Sequence, residues 1–83
     1  VPHMGWNRLQ QLDGPLLQHL PGEPFVYFVH SYYVELGPAT VATSHYGLPF
    51  SAVMQRDNYY ATQFHPEKSG VIGAKILENF LAL

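Results

Sequence analysis

The chain has 83 residues, 47% apolar and 14% aromatic, with six acidic against four basic side chains. That suffices for one small domain with a modest core, and it is too rich in core-forming residues for a disordered tail. Four Lys and Arg residues cannot build the basic face that nucleic acid requires, and no apolar run approaches the roughly 20 residues of a membrane span. Without cysteine, neither a disulfide nor a thiolate metal site can form.

Val1 to Leu9 is short and punctuated by Pro2 and Gly5. A lone tryptophan such as Trp6 ordinarily lies partly in a core. Gln10 to Pro24 reads as a connector, with turn signals at Asp13-Gly14-Pro15 and Pro21-Gly22-Glu23-Pro24. Between them Leu16, Leu17 and Leu20 suit one helical turn over a core edge, and His19 suits a solvated turn. Phe25 to Val34 is β-branched and aromatic on both faces, which predicts a central strand covered on both sides. His30 is expected there as a satisfied core or strand-end histidine.

Gly37-Pro38 breaks the chain. Val41 to Tyr46 reads as a second strand, turned by Tyr46-Gly47 and Pro49, and Phe50 to Arg56 as a third. Asp57-Asn58 is a tight-turn pair suited to positive φ, so a hairpin to Tyr59–His65 follows. In that last strand Tyr60, Thr62 and Phe64 share one face, and Tyr59, Ala61, Gln63 and His65 the other. Ser69 is expected to cap a helix over Gly70 to Leu81. Ile72, Ile76, Phe80 and Leu83 form its apolar stripe, Gly73 allows close approach to the sheet, and Lys75, Glu78 and Asn79 mark the wet face.

Chemistry concentrates in Gln63-Phe64-His65-Pro66-Glu67-Lys68-Ser69. Pro66 lacks an amide hydrogen and holds His65 extended, so the strand ends with the imidazole at its tip. Glu67 falls in the turn, where its carboxylate can reach back to a ring nitrogen, fix the tautomer and raise the ring's basicity. That is the base-plus-orienter half of a nucleophilic triad. No nucleophile accompanies it: Ser31, Ser44, Ser51 and Ser69 are present, but no Gly-x-Ser-x-Gly elbow. A metal site from the five histidines and Glu67 is the competing reading, yet their spacing matches no His-Glu-x-x-His pattern.

Phe64-His65-Pro66-Glu67-Lys68-Ser69, with Val1-Pro2-His3-Met4-Gly5-Trp6-Asn7 and Phe28-Val29-His30-Ser31-Tyr32, resembles the class I glutamine amidotransferases. Within them the chain is most similar to the glutaminase-subunit branch of the imidazole glycerol phosphate synthases, chiefly through Pro2 to Asn7. The three motifs occur in the family's order and span essentially the whole chain. The resemblance implies an α/β, flavodoxin-like three-layer domain. This chain would be its C-terminal part, mainly antiparallel strands plus a closing helix. The other half would carry the cysteine nucleophile and the oxyanion strand, so the chain alone is expected to be inactive.

By the same resemblance, His65 is the catalytic general acid/base and Glu67 its orienting carboxylate. Ser31 and Tyr32, with Tyr33 beside them, would line the glutamine pocket through backbone groups. Trp6, Asn7 and Lys68 would face a β/α-barrel cyclase subunit that receives the ammonia. No cofactor or metal is implied, and the compartment is the cytoplasm. The residues alone leave other readings open. Lys68 also reads as a solvated lysine at a helix start, where it opposes the helix dipole. The chain also reads as a glutaminase of another amidotransferase branch, or as a non-catalytic packing fragment that self-associates through an open sheet edge.

Overall fold

The computed structural model describes residues 3–30 and 32–83, and of His3 the backbone alone. In chain order the elements are β1 (His3–Arg8), a 3-10 turn (Pro15–Leu17), β2 (Phe25–His30), β3 (Thr40–Tyr46), β4 (Leu48–Arg56), β5 (Tyr59–Thr62), a second 3-10 turn (Pro66–Lys68) and α1 (Gly70–Leu81). The strands form two antiparallel sheets, β1-β2 and β3-β4-β5. No helix among the described residues is long and apolar enough to cross a membrane.

β1 forms in a segment to which the sequence assigned no element. Gly5 adopts φ +122°, a conformation that L side chains rarely adopt, and with no side chain it adds nothing to a period-2 pattern. The strand exists because β2 pairs with it, Met4 opposite Val29, Trp6 opposite Tyr27 and Arg8 opposite Phe25. β2 itself ends at His30, four residues short of Val34. Its alternation is sharp: Val26 and Phe28 are fully buried, while Phe25 and Val29 are exposed. Of the two covers expected for this strand, the described residues supply one. β2 is flanked on both edges, by β1 and by Phe64–His65, but only its inner face is packed within these residues. On the outer face Met4 is 65% and Trp6 55% exposed.

The two sheets are stitched just beyond β1. The Gln10 and Thr43 backbones exchange hydrogen bonds of 2.8 and 2.9 Å, the buried Ser44 hydroxyl donates to the Arg8 carbonyl at 2.7 Å, and Asn7 Nδ2 donates to the His45 carbonyl at 2.8 Å. Inside the junction Phe28 sets its ring edge-on to Phe50 (5.5 Å) and Phe64 (5.8 Å). Leu9, Leu16, Leu17, Val53, Ile72 and Ile76 complete this core, and Leu20 packs on its margin. The expected leucine turn is present, His19 is exposed in the turn after it, and Asp57 takes φ +55° in the hairpin between β4 and β5.

α1 has the expected bounds but a different inner face. Ile72 and Ile76 are buried, whereas Phe80 and Leu83 are half exposed. Asn79 was expected on the wet face; it is buried, and its Nδ2 donates to the carbonyls of Leu16 and Gln18, both at 2.9 Å. It stands three and seven residues from Ile76 and Ile72, on their row of the helix, and its amide there satisfies carbonyls left open by the short 3-10 turn. Lys75 and Glu78 do pair at the surface, 2.8 Å apart. Gly73 approaches the Pro66–Lys68 turn, not the sheet: a Cβ there would overlap the Pro66 carbonyl oxygen.

Candidate active site

The chain reaches the site by changing partners. β5 pairs with β4 only as far as Thr62, after which the Gln63 amide makes a last bond to the Ala52 carbonyl at 2.9 Å. The Thr62 hydroxyl donates to the Phe64 carbonyl at 3.0 Å, Phe64 drops into the core opposite Phe28, and the His65 amide donates to the Tyr27 carbonyl at 2.9 Å. The expectation that His65 stands on the Tyr59–His65 hairpin is thus corrected. Burying Phe64 against Phe28 pulls the chain across, and β2 holds the histidine.

Pro66 then ends the ladder and opens the 3-10 turn that contains Glu67. The tight turn brings the carboxylate back over the ring, with His65 Nδ1 and Glu67 Oε2 3.2 Å apart. With Nδ1–H donating to Glu67, Nε2 is left to take or give a proton. The two side chains are 40% and 60% exposed, so the pair lies on an open surface. Two cavities are formed by neighbouring parts of the chain, neither lined by His65 or Glu67. One of about 300 Å³ is lined by Pro38, Ala39, Gln55 and Arg56, and an apolar groove of about 160 Å³ runs between β5 and α1 beneath Pro66.

Glu67 is held below the ordinary carboxyl value of 4.5. Its own backbone N–H, turned towards the carboxylate, is the largest cause; the hydrogen bond and charge of His65 and the charge of Lys68 add to it, and partial loss of hydration opposes. A carboxyl depressed on folding favours the folded state above its unfolded value, and that contribution is lost as pH falls through the folded one. The Glu67 carboxyl carbon should accordingly titrate with a midpoint below 4.5 in an NMR pH series. In His65→Ala the midpoint should rise yet stay depressed, because the backbone N–H remains. A wild-type midpoint at or above 4.5 would contradict this electrostatic picture.

The remaining site residues fall into separate places. Trp6 is not a core residue: its exposed indole meets Tyr27 edge-on at 5.8 Å and lies 3.9 Å from where a Cβ on Gly70 would stand. It therefore flanks the turn that carries the pair. Asn7 spends its amide internally, accepting from the Arg8 N–H at 2.8 Å and donating to His45. Lys68 is exposed at the end of the 3-10 turn, directly before the N-cap Ser69 of α1.

Tyr32 is 86% exposed, and its carbonyl accepts from His30 Nδ1 at 2.8 Å. β2 runs three residues, roughly 10 Å, from Tyr27 beside His65 to His30. Tyr33 packs on Phe50 and donates its hydroxyl to the Tyr46 carbonyl at 2.9 Å. Ser31 lies outside the described residues. Among those residues no three carboxylate or imidazole side chains gather in one place.

Sequence reading misplaced Ser69. It stands at the N-cap position of α1, but its side chain makes no capping bond. The hydroxyl instead donates to the His65 carbonyl at 2.6 Å and accepts the Tyr27 N–H at 2.9 Å. Nothing local distinguishes this serine from a capping one, because Tyr27 is 42 residues away.

The model of the family "Glutamine amidotransferase class-I" matches residues 1–83. The chain belongs to the class I glutamine amidotransferase family. Over its whole length this amidotransferase chain is 54% identical to the imidazole glycerol phosphate synthase subunit HisH of Bacteroides fragilis, 52% to that of Shewanella sediminis and 50% to that of Escherichia coli. It spans 42%, 38% and 43% of those proteins, about two-fifths of the length of the curated relatives. The family read from three short motifs thus extends over every residue, and its antiparallel strands and C-terminal helix are those expected of this amidotransferase segment.

Proposed function

We propose that the chain carries the proton-transfer half of a glutaminase whose ammonia serves a cyclase subunit in imidazole glycerol phosphate formation, in the cytoplasmic pathway of histidine biosynthesis. The observation that carries this reading is the His65 Nδ1–Glu67 Oε2 contact of 3.2 Å in a member of the amidotransferase family. A thiolate from outside these 83 residues attacks the glutamine side-chain carbonyl. His65, through Nε2, protonates the departing ammonia and then takes a proton from the water that releases glutamate. Glu67 stays ionised through both steps and holds the ring. Ser31 and Tyr32 offer backbone groups to glutamine, and Trp6, Asn7 and Lys68 lie at the cyclase surface. The exposed indole beside the turn supports this, since aromatic anchors often dominate interfaces.

The test is glutamate release from glutamine, measured for the chain alone and for the chain joined to a cysteine-bearing amidotransferase half and a cyclase barrel. The isolated chain should match its His65→Ala variant, and the assembled enzyme should turn over in a His65-dependent way. Turnover by the isolated chain, abolished by His65→Ala, would mean that a nucleophile lies within it. An assembled enzyme without glutaminase activity would sink the reading.

A further inference from the structure

We propose that Ser69 is a positioning residue for the His65–Glu67 pair, acting through a buried hydroxyl that locks the turn carrying both side chains to β2. This rests on the glutaminase reading of the pair. Ser69 is 1% exposed and touches neither the imidazole nor the carboxylate by any hydrogen bond. Its bonds all run to backbone. The Ser69 hydroxyl donates to the His65 carbonyl at 2.6 Å and accepts the Tyr27 N–H at 2.9 Å, while the Tyr27 carbonyl accepts the His65 N–H at 2.9 Å. The three bonds close a ring. Both backbone groups of Tyr27 and both of His65 are held in it, and the His65 carbonyl also takes the Lys68 N–H at 3.0 Å.

Only a group that donates and accepts at one atom can close this ring, and a hydroxyl does both. Alanine leaves the part-buried Tyr27 N–H without its acceptor and leaves the His65 carbonyl with the Lys68 N–H alone; threonine keeps both hydroxyl bonds. α1 gains nothing from the hydroxyl, since it caps no helical N–H. What the ring fixes is the backbone from which the imidazole and, two residues on, the carboxylate project. A proton-transfer pair must be held within about 0.5 Å of its working geometry, and about 1 Å of misplacement can cost 10²-fold in rate. Among the described residues the constraint comes from this ring beneath the pair, whose side chains are 40% and 60% exposed.

The experiment compares Ser69→Ala and Ser69→Thr in the assembled enzyme. Ser69→Ala should lower kcat by about 10- to 100-fold with KM little changed, and Ser69→Thr should recover most of the loss. The ¹⁵N shifts of the His65 ring in the full chain give a readout independent of turnover. The wild type should show one tautomer with the proton on Nδ1, and Ser69→Ala a mixture of both. Wild-type ring shifts in Ser69→Ala, or equal loss of kcat in the alanine and threonine variants, would overturn the proposal. Should Ser69→Ala not fold, hydrogen exchange in the wild type decides: the Tyr27 amide, bonded to the hydroxyl, must be protected, and fast exchange there refutes the ring. Failure of the glutaminase reading looks different, because the assembled wild type would then be inactive while the ring shifts still report on Ser69.

Discussion

Replacing His65 by alanine should lower glutamine turnover of the assembled enzyme by about 10²–10⁴, the usual worth of a positioned general acid/base. The fold should survive the change. The imidazole is 40% exposed, and the bonds that fix this residue use its backbone N–H and carbonyl, which alanine retains. Stability should move by no more than about 0.5 kcal/mol in urea unfolding, as for surface substitutions elsewhere. The separation of the two readouts is the point: a large fall in kcat beside an unmoved denaturation midpoint assigns the loss to chemistry. Glu67→Gln should lose less than His65→Ala, because it keeps a hydrogen-bonding group against Nδ1 while removing a charge already screened by water. Turnover of His65→Ala within twofold of wild type would remove the pair from the mechanism.

What the sequence made legible was local. Gly70 to Leu81 forms the expected helix, Asp57-Asn58 turns the expected hairpin, and Pro66 between His65 and Glu67 places imidazole and carboxylate in contact across a single turn. Each needs only neighbours within a few residues. What it hid was long-range. β1 exists through β2, with Trp6 paired to Tyr27 twenty-one positions away. Asn79 looks like a wet-face residue until Leu16 and Gln18 present open carbonyls 63 and 61 residues upstream. The strand after Asp57 reads as one piece through His65; Phe64 breaks it by preferring the Phe28 side of the core. The apolar residues of β2 on both faces argue for two covers; the described residues supply the inner one and leave Met4, Trp6, Phe25 and Val29 at the surface.

Gly73→Ala should destabilise the chain by about 1–3 kcal/mol, against the helix-propensity expectation. Alanine in a helix interior is favoured over glycine by about 1 kcal/mol. At Gly73 the new methyl would overlap the Pro66 carbonyl oxygen, with the carbonyl carbon 2.8 Å and Ser69 Cβ 2.9 Å away. Two of these three atoms are backbone and cannot swing aside; the third belongs to the serine whose hydroxyl is bonded on both sides. Relief requires α1 to lift from the Pro66–Lys68 turn, and Ile72 and Ile76 would then leave the core with it. The overlap therefore outweighs propensity, and the urea midpoint should fall. The same displacement loosens the turn under His65, so the Glu67 carboxyl should titrate closer to its ordinary 4.5 than in wild type. A Gly73→Ala chain more stable than wild type by about the propensity difference would mean that the helix and the turn are not in contact.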